Sequence, residues 1–304
     1  MKIYSVAVLT LISLFFSAHA AFAKDIYCDL CGERIVGEYV KVREKGSVVK
    51  NYCPYCFRHH VEKTCSVCGE SLNGKYLVDV YGNEYHPEHQ QTHHRCDSCG
   101  RIISERTTGG GVMLPDGRTI CNVCHRHAVT NNQTLDQLMR RTAEILTGIG
   151  IAIPVHNIQV ALIDRNQMRS MYLSGHGKHV RGLCISEYKK ARNVRYPAHR
   201  HTIYILSGLS VLDTEAALAH ELMHAYINER PALRQKLQRQ KIEEGMCEFI
   251  SFVYLSRGNT EEILARLKGI AHNRDPVYGE GFRKVHAMFK NGTTDDVVVY
   301  LNAP

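Results

Sequence analysis

The chain has 304 residues, a formal charge of +8 and 44% apolar residues, an ordinary globular balance with enough length to bury a substantial core. The positive excess is too modest to argue by itself for nucleic acid as a partner. Beyond the N-terminal segment no stretch approaches 18 apolar residues, so no further membrane span is expected.

At the N-terminus, Lys2 precedes an apolar run from Ile3 to Phe16 and a small-residue region from Ser17 to Ala23. Ala21-Phe22-Ala23 fits an A-x-A cleavage site, which predicts a signal peptide over 1–23 and a mature start at Lys24. The expectation is an exported protein, periplasmic or secreted, with no membrane span after cleavage. An uncleaved anchor is the competing reading, against which the run is short for a bilayer.

In an exported chain, twelve cysteines first suggest disulfides. Ten of them, however, form five C-x-x-C pairs: Cys28/Cys31, Cys53/Cys56, Cys65/Cys68, Cys96/Cys99 and Cys121/Cys124. A two-residue gap lets both thiolates of a tight knuckle face one tetrahedral ion, and two knuckles complete its shell. Three modules follow: Cys28, Cys31, Cys53 and Cys56; then Cys65, Cys68, His86 and His89; then Cys96, Cys99, Cys121 and Cys124. Each opens C-x-x-C-G and continues into a hairpin-like stretch. The histidine pair decides between chemistries, since histidines replace thiolates around zinc and have no place in a disulfide. Three structural zinc ions are expected. Oxidised C-x-x-C pairs with redox function are the runner-up, and His93 is an alternative to His89. Modules of about 30 residues hold little core, so zinc must supply much of their folding energy.

The first module occupies 24–62. The second and third, over 63–129, lie back to back and resemble a LIM domain, a tandem pair of zinc modules used for protein contacts. The resemblance implies a protein partner. This chain differs in placing six residues, Gln90 to Arg95, between His89 and Cys96, where the usual LIM linker has two.

After Cys124 cysteines become sparse, and a domain is expected over 130–304. Thr134 to Leu146 reads as an amphipathic helix with a capping box from Thr134 and Gln137. Ile158 to Ile163, Val180 to Ser186 and Thr202 to Leu206 read as strands. Lys189 to His201, rich in Lys, Arg and His, reads as a solvated loop.

The next stretch carries the chemistry: Ala219-His220-Glu221-Leu222-Met223-His224-Ala225-Tyr226. On a helix, capped by Asp213 or Thr214, His220 and His224 stand one turn apart on one face, able to share a metal ion. Glu221 is placed as general base for a water. Leu218, Leu222 and Ala225 give the helix an apolar back. A catalytic zinc needs a third protein ligand and one position left for water. The extended metzincin pattern would need Gly at 227 and His at 230, where this chain has Ile227 and Arg230. Instead Glu243-Glu244-Gly245-Met246-Cys247-Glu248 opens an apolar run to Leu255, which reads as a second helix delivering a carboxylate. Glu244 is the expected ligand and Glu243 the alternative, with Glu248 orienting an imidazole. Tyr226, Tyr254, Tyr278, His199 and His286 are all candidates to stabilise a developing oxyanion, with Tyr278 slightly favoured.

Together with Gly182-Leu183-Cys184-Ile185-Ser186-Glu187, Leu206-Ser207-Gly208-Leu209 and Pro276-Val277-Tyr278-Gly279-Glu280-Gly281-Phe282-Arg283, these motifs resemble a family. It comprises the plant LIM-containing peptidases that limit organ size and their bacterial relatives, and the resemblance runs from about Cys65 to the C-terminus. It implies an α+β, gluzincin-like metallopeptidase domain, an active-site helix and a Glu-bearing helix against a small sheet, preceded by three zinc-knuckle modules. It also implies that Cys184 and Cys247 are core positions, with a disulfide between them as the minority reading. The expected function is an exported zinc endopeptidase hydrolysing protein substrates by Glu221-assisted attack of zinc-bound water, with one catalytic and three structural zinc ions. The LIM-like modules would serve recognition or regulation. The alternative is a non-catalytic LIM-like binding protein carrying an inactive peptidase fold. Unlike the plant members, this chain has an extra four-Cys module, an export signal and no ubiquitin-interacting helices.

Overall fold

The computed structural model describes residues 3–6, 8–9, 25–43, 48–171, 180–188, 198–289 and 294–303. Most of the expected leader over 1–23, and residues 189–197 of the basic stretch 189–201, lie outside these residues. No helix among the described residues is long and apolar enough to cross a membrane. The described chain is mixed α and β and forms two compact units.

One unit comprises 1–94 with 101–110. Its first zinc module is built on the hairpin Val40–Arg43 and Val49–Tyr52, and its second on Gly74–Val78 and Glu84–Tyr85. Within the expected leader, Ile3–Val6 pairs with Gly74–Val78, and Val8–Leu9 with Val40–Arg43. The cores are small, with Tyr76, Leu77, Tyr85 and Ile102 at the centre of one and Val42 and Tyr52 of the other. Such cores need a metal to hold them.

The other unit comprises 95–100 with 111–304. Its division from the first falls within the third zinc module, whose four cysteines all belong to this unit. Backbone hydrogen bonds tie the end of that module to the chain entering the long helix: Val129 N donates to Leu209 O (2.8 Å), Gly208 N to Val129 O (2.9 Å) and Val211 N to His127 O (3.0 Å). Among the described residues this unit holds the hairpin Gly111–Met113/Thr119–Cys121 of the third zinc module and a larger sheet of three strands: β1 (Ile158–Ile163), β2 (Gly182–Tyr188) and β3 (Ala198–Leu206). The central β3 pairs antiparallel with β2 and parallel with β1. The third expected strand thus begins four residues earlier than its apolar run, because antiparallel pairing carries through Arg200 and His201 opposite Glu187 and Ser186.

Against the sheet lie α1 (Asn132–Gly148), α2 (Arg165–Met171) and the long α3 (Val211–Asn228). After the short α4 (Pro231–Lys236), α5 (Gln240–Leu255) packs along α3, followed by α6 (Glu261–Ala271), α7 (Tyr278–Met288) and α8 (Thr294–Asn302). Leu218, Leu222, Met223 and Ile227 of α3 meet Met246, Phe249 and Ile250 of α5 in one apolar core. The caps differ from those expected. Asn131, whose side chain accepts from Thr134 N, starts α1, and Ser210, whose side chain accepts from Asp213 N, starts α3. Both sit where an Asx or Ser side chain reaches the third helical amide.

Candidate metal centres and active-site cleft

In all three zinc modules the ligating atoms gather within 4.8 Å of one another: Cys28, Cys31, Cys53 and Cys56; Cys65, Cys68, His86 and His89; Cys96, Cys99, Cys121 and Cys124. The local cause repeats. Gly32, Gly69 and Gly100 each adopt positive φ and donate their amide to the carbonyl of the module's first cysteine, at 2.9, 2.8 and 2.8 Å. This left-handed turn, cheap only for glycine, folds each C-x-x-C into a knuckle. Backbone amides support the thiols, as Cys121 N does on Cys96 Sγ at 3.2 Å. Cys99 Sγ and Cys121 Sγ lie 3.8 Å apart, about the ~3.8 Å edge of a tetrahedral zinc–thiolate site. In the second module His89 Nε2 is buried without a hydrogen-bond partner, as befits a nitrogen aimed at a metal, while Cys68 Sγ lies 3.5 Å from His86 Nδ1. His93 stands edge-on to His89, with ring centroids 5.1 Å apart, and is not among the clustered ligands. All twelve cysteines are free thiols, including Cys184 and Cys247.

The fourth cluster is built where α3 crosses α5. His220 Nε2 lies 3.1 Å and His224 Nε2 3.5 Å from the same atom, Glu244 Oε2. Donor atoms around tetrahedral zinc stand about 3.3 Å apart, so this trio fits zinc. The opposite ring nitrogens also meet carboxylates. Glu243 Oε1 sits 3.1 Å from His224 Nδ1, and Glu248 Oε1 3.6 Å from His220 Nδ1. Glu243, the alternative ligand, therefore lies on the far side of the imidazole, where a carboxylate orients the ring. The donors grouped here within 4.8 Å of one another are His220, His224 and Cys247 Sγ, with Glu244 placed beside them by its contacts to both rings. Burial pushes the Cys247 thiol up to about 12, while Glu244 Oε2 is the one oxygen that lies within 3.5 Å of both imidazole Nε2 atoms.

Electrostatics support that assignment. Although burial opposes it, hydrogen bonds from both imidazoles hold the Glu244 carboxyl far below the usual carboxylate range. Burial likewise pulls His220 and His224 down, but Glu244, Glu221 and Glu248 around His220, and Cys247 followed by Glu243 and Glu244 around His224, more than offset it, and both are raised. Glu221 is buried beside them, and burial raises its carboxyl, the direction a general base needs for work near neutrality.

A cleft of about 700 Å³ opens on these groups, walled by residues 180–184 of the strand region and by α3, α5 and α6. Gly182 is required there. A Cβ on it would meet Glu221 Cγ and Oε1 at 2.7 Å, so Glu221 lies flat on the strand backbone. Glycine also brings the far wall close. A Cβ on Gly245 of α5 would sit 2.3 Å from the Gly281 carbonyl carbon of α7, and one on Gly281 would sit 2.2 Å from Lys241 O. This backbone-to-backbone approach explains the E-E-G and Y-G-E-G spacings and carries Tyr278 into the cleft, its ring 6.2 Å from that of His220. Of the other oxyanion candidates, Tyr226 OH donates to Asn302 Oδ1 (3.0 Å), Tyr254 is buried near Glu215, and His286 packs on Phe249, Phe252 and Phe282. None of these three lines the cleft. The His199 side chain lies outside the described residues.

Sequence reasoning missed Arg181, Asn228, Arg266 and Asp275 in the lining. One local signal was available: Ser210-x-x-Asp213 is a capping pattern, and it marks the acid to which two of these residues pair. Arg181 Nη1 lies 3.0 Å from Asp213 Oδ1, and the Arg266 guanidinium contacts the same carboxylate.

Residues 65–129 match the family model described as LIM domain, and residues 148–267 match the one described as DA1-like, Protein DA1. The second match contains His220, Glu221, His224 and Glu244. Similar proteins include Protein DA1-related 2 of Arabidopsis thaliana, 25% identical over 328 residues that cover 86% of this chain and 60% of the relative. Protein DA1 of the same plant is 26% identical over 290 residues, 75% of this chain and 53% of its own length. The LIM domain-containing protein HDR3 of Oryza sativa subsp. japonica is 26% identical over 320 residues, covering 81% and 62%. The chain thus spans about half to three-fifths of the length of these curated relatives. No solved structure matches. The second and third zinc modules and the helical domain are therefore similar to DA1-type LIM proteins.

Proposed function

We propose that this chain is an exported zinc endopeptidase whose LIM-like region holds a protein partner or the substrate itself. The observation that carries the reading is the convergence of His220 Nε2, His224 Nε2 and Glu244 Oε2, with Glu221 buried beside them. Zinc, when held by those three side chains, would polarise a scissile carbonyl and acidify a water. Glu221 then accepts the proton of the attacking water and delivers it to the leaving amine, its side chain packed on Gly182 and its carboxylate bonded by the Cys184 backbone. Glu243 and Glu248 fix the two rings from behind. Tyr278 is the donor favoured to face the developing oxyanion. Among the described residues β2 is an edge strand, which suits an extended peptide running along it.

The test is cleavage of an unfolded protein such as casein by the wild type and by Glu221→Gln. Loss of about 10²- to 10⁴-fold in turnover with zinc content unchanged is expected. Equal turnover in the two proteins would refute a Glu221-based peptidase, and no cleavage by either would favour a binding protein.

A further inference from the structure

The third zinc module does more than fold itself. Between its first two ligands stands Ser98, fully buried, at a position where the first two modules carry Leu30 and Val67. Its hydroxyl bonds the carboxylate of Asp213 and accepts from Ser210 N at 3.3 Å, both at the start of α3. Its carbonyl accepts from Arg181 Nη2 at 2.8 Å and from the Arg266 guanidinium. Asp213, 1% exposed, ties both arginines to the same node. Arg181 immediately precedes Gly182, on whose backbone Glu221 rests.

An unbroken run of contacts therefore leads from the Cys96/Cys99 knuckle to the general base. The knuckle's shape depends on its ion, because four thiols crowded within 4.8 Å have no other reason to converge. We propose that Ser98 is a positioning residue through which the third zinc site fixes the Arg181–Gly182 strand against Glu221, so that metal loading at Cys96, Cys99, Cys121 and Cys124 sets the catalytic geometry. The leucine and valine at the matching positions of the other modules have no hydroxyl to bond an acid such as Asp213 or to accept from an amide such as Ser210 N. The catalytic half of the inference rests on the peptidase reading, whereas the node itself does not.

The experiment is hydrogen exchange on the full chain, with zinc content and peptidase kinetics measured in parallel, for the wild type, Ser98→Ala and the Cys96→Ser/Cys121→Ser double variant. Ser98→Ala should keep the wild-type zinc content, because all four thiols stay. It should speed exchange over 181–188 and the first turn of α3 by about 10- to 100-fold, the worth of hydrogen bonds to charged groups. Exchange in the body of α1 should stay unchanged, marking the effect as local. Turnover should fall about tenfold in kcat with KM changed less than about twofold, as misplacement of a base requires. The double variant should lose one zinc and open the same segments. Unchanged exchange over 181–188 in Ser98→Ala, a loss spread equally into α1, or a drop in its zinc content would overturn the proposal. If exchange responds as expected while wild-type protein cleaves nothing, the positioning role stands and the peptidase reading fails.

Discussion

Two modules of this chain have the same ligand spacing and opposite surroundings. Cys28, Cys31, Cys53 and Cys56 repeat the intervals of Cys96, Cys99, Cys121 and Cys124 residue for residue. Yet Cys31 is exposed and Leu30 is 52% exposed, while all four cysteines of the third module are buried with Ser98 among them. Beyond the knuckle, Arg165 pairs with Asp97, Arg118 Nε pairs with Asp116 Oδ2 at 2.8 Å, and Arg118 Nη2 donates to Ser207 O at 2.5 Å. Ligand spacing sets how a module folds around its ion. The residues between the ligands set what else that ion holds together.

The largest effect should come from removing each ion in turn. Cys96→Ser/Cys121→Ser should lower the melting temperature of the unit carrying α3 by roughly 10 °C or more, at about 2–4 °C per kcal/mol for a domain of this size. Cys28→Ser/Cys53→Ser should leave that transition within about 1 °C. Equal shifts, followed by calorimetry, would break the comparison.

Thiolate and histidine sites should differ next in their response to acid. His220 and His224 are raised in the folded, metal-free protein, so below those raised values both rings carry protons that zinc must displace. Affinity at this site should therefore be full above them and fall as pH drops through them, approaching a hundredfold per pH unit when two protons compete. Competition with a chelator, read as the difference between wild type and His224→Ala, measures the slope. A pH-independent difference would contradict the assignment.

Exchanging the knuckle residues sharpens the contrast at smaller cost. Ser98→Leu strands buried partners and overfills the node, at about 1–3 kcal/mol by denaturant titration. Gly281→Ala should cost a similar ~1–3 kcal/mol by pushing α7 off α5, and should lower activity by moving Tyr278. The reciprocal Leu30→Ser, on an exposed turn, should stay within about 0.5 kcal/mol. A Leu30→Ser penalty as large as that of Ser98→Leu would show that the two modules are not differently employed.

Much of this was legible because the signals are local. A C-x-x-C pair folds on itself, and H-E-x-x-H needs only a helix to align its imidazoles. Glu244 could be read from its place before Gly245, but the reason for that glycine, the Gly281 backbone against it, lies 36 residues on. Ser98 to Asp213 spans 115 residues, and nothing in either local sequence names the other. The pairing of Val129 with Leu209 joins residues 80 positions apart, which no local pattern announces. Long-range contacts between polar residues leave no period to read.

The most direct measurement is the number of zinc ions per chain, determined by elemental analysis on wild-type protein and on His220→Ala/His224→Ala. Four in the wild type and three in the double variant are expected, since two imidazoles and Glu244 are taken to hold an ion that the cysteine modules do not. Three ions in both proteins would contradict it.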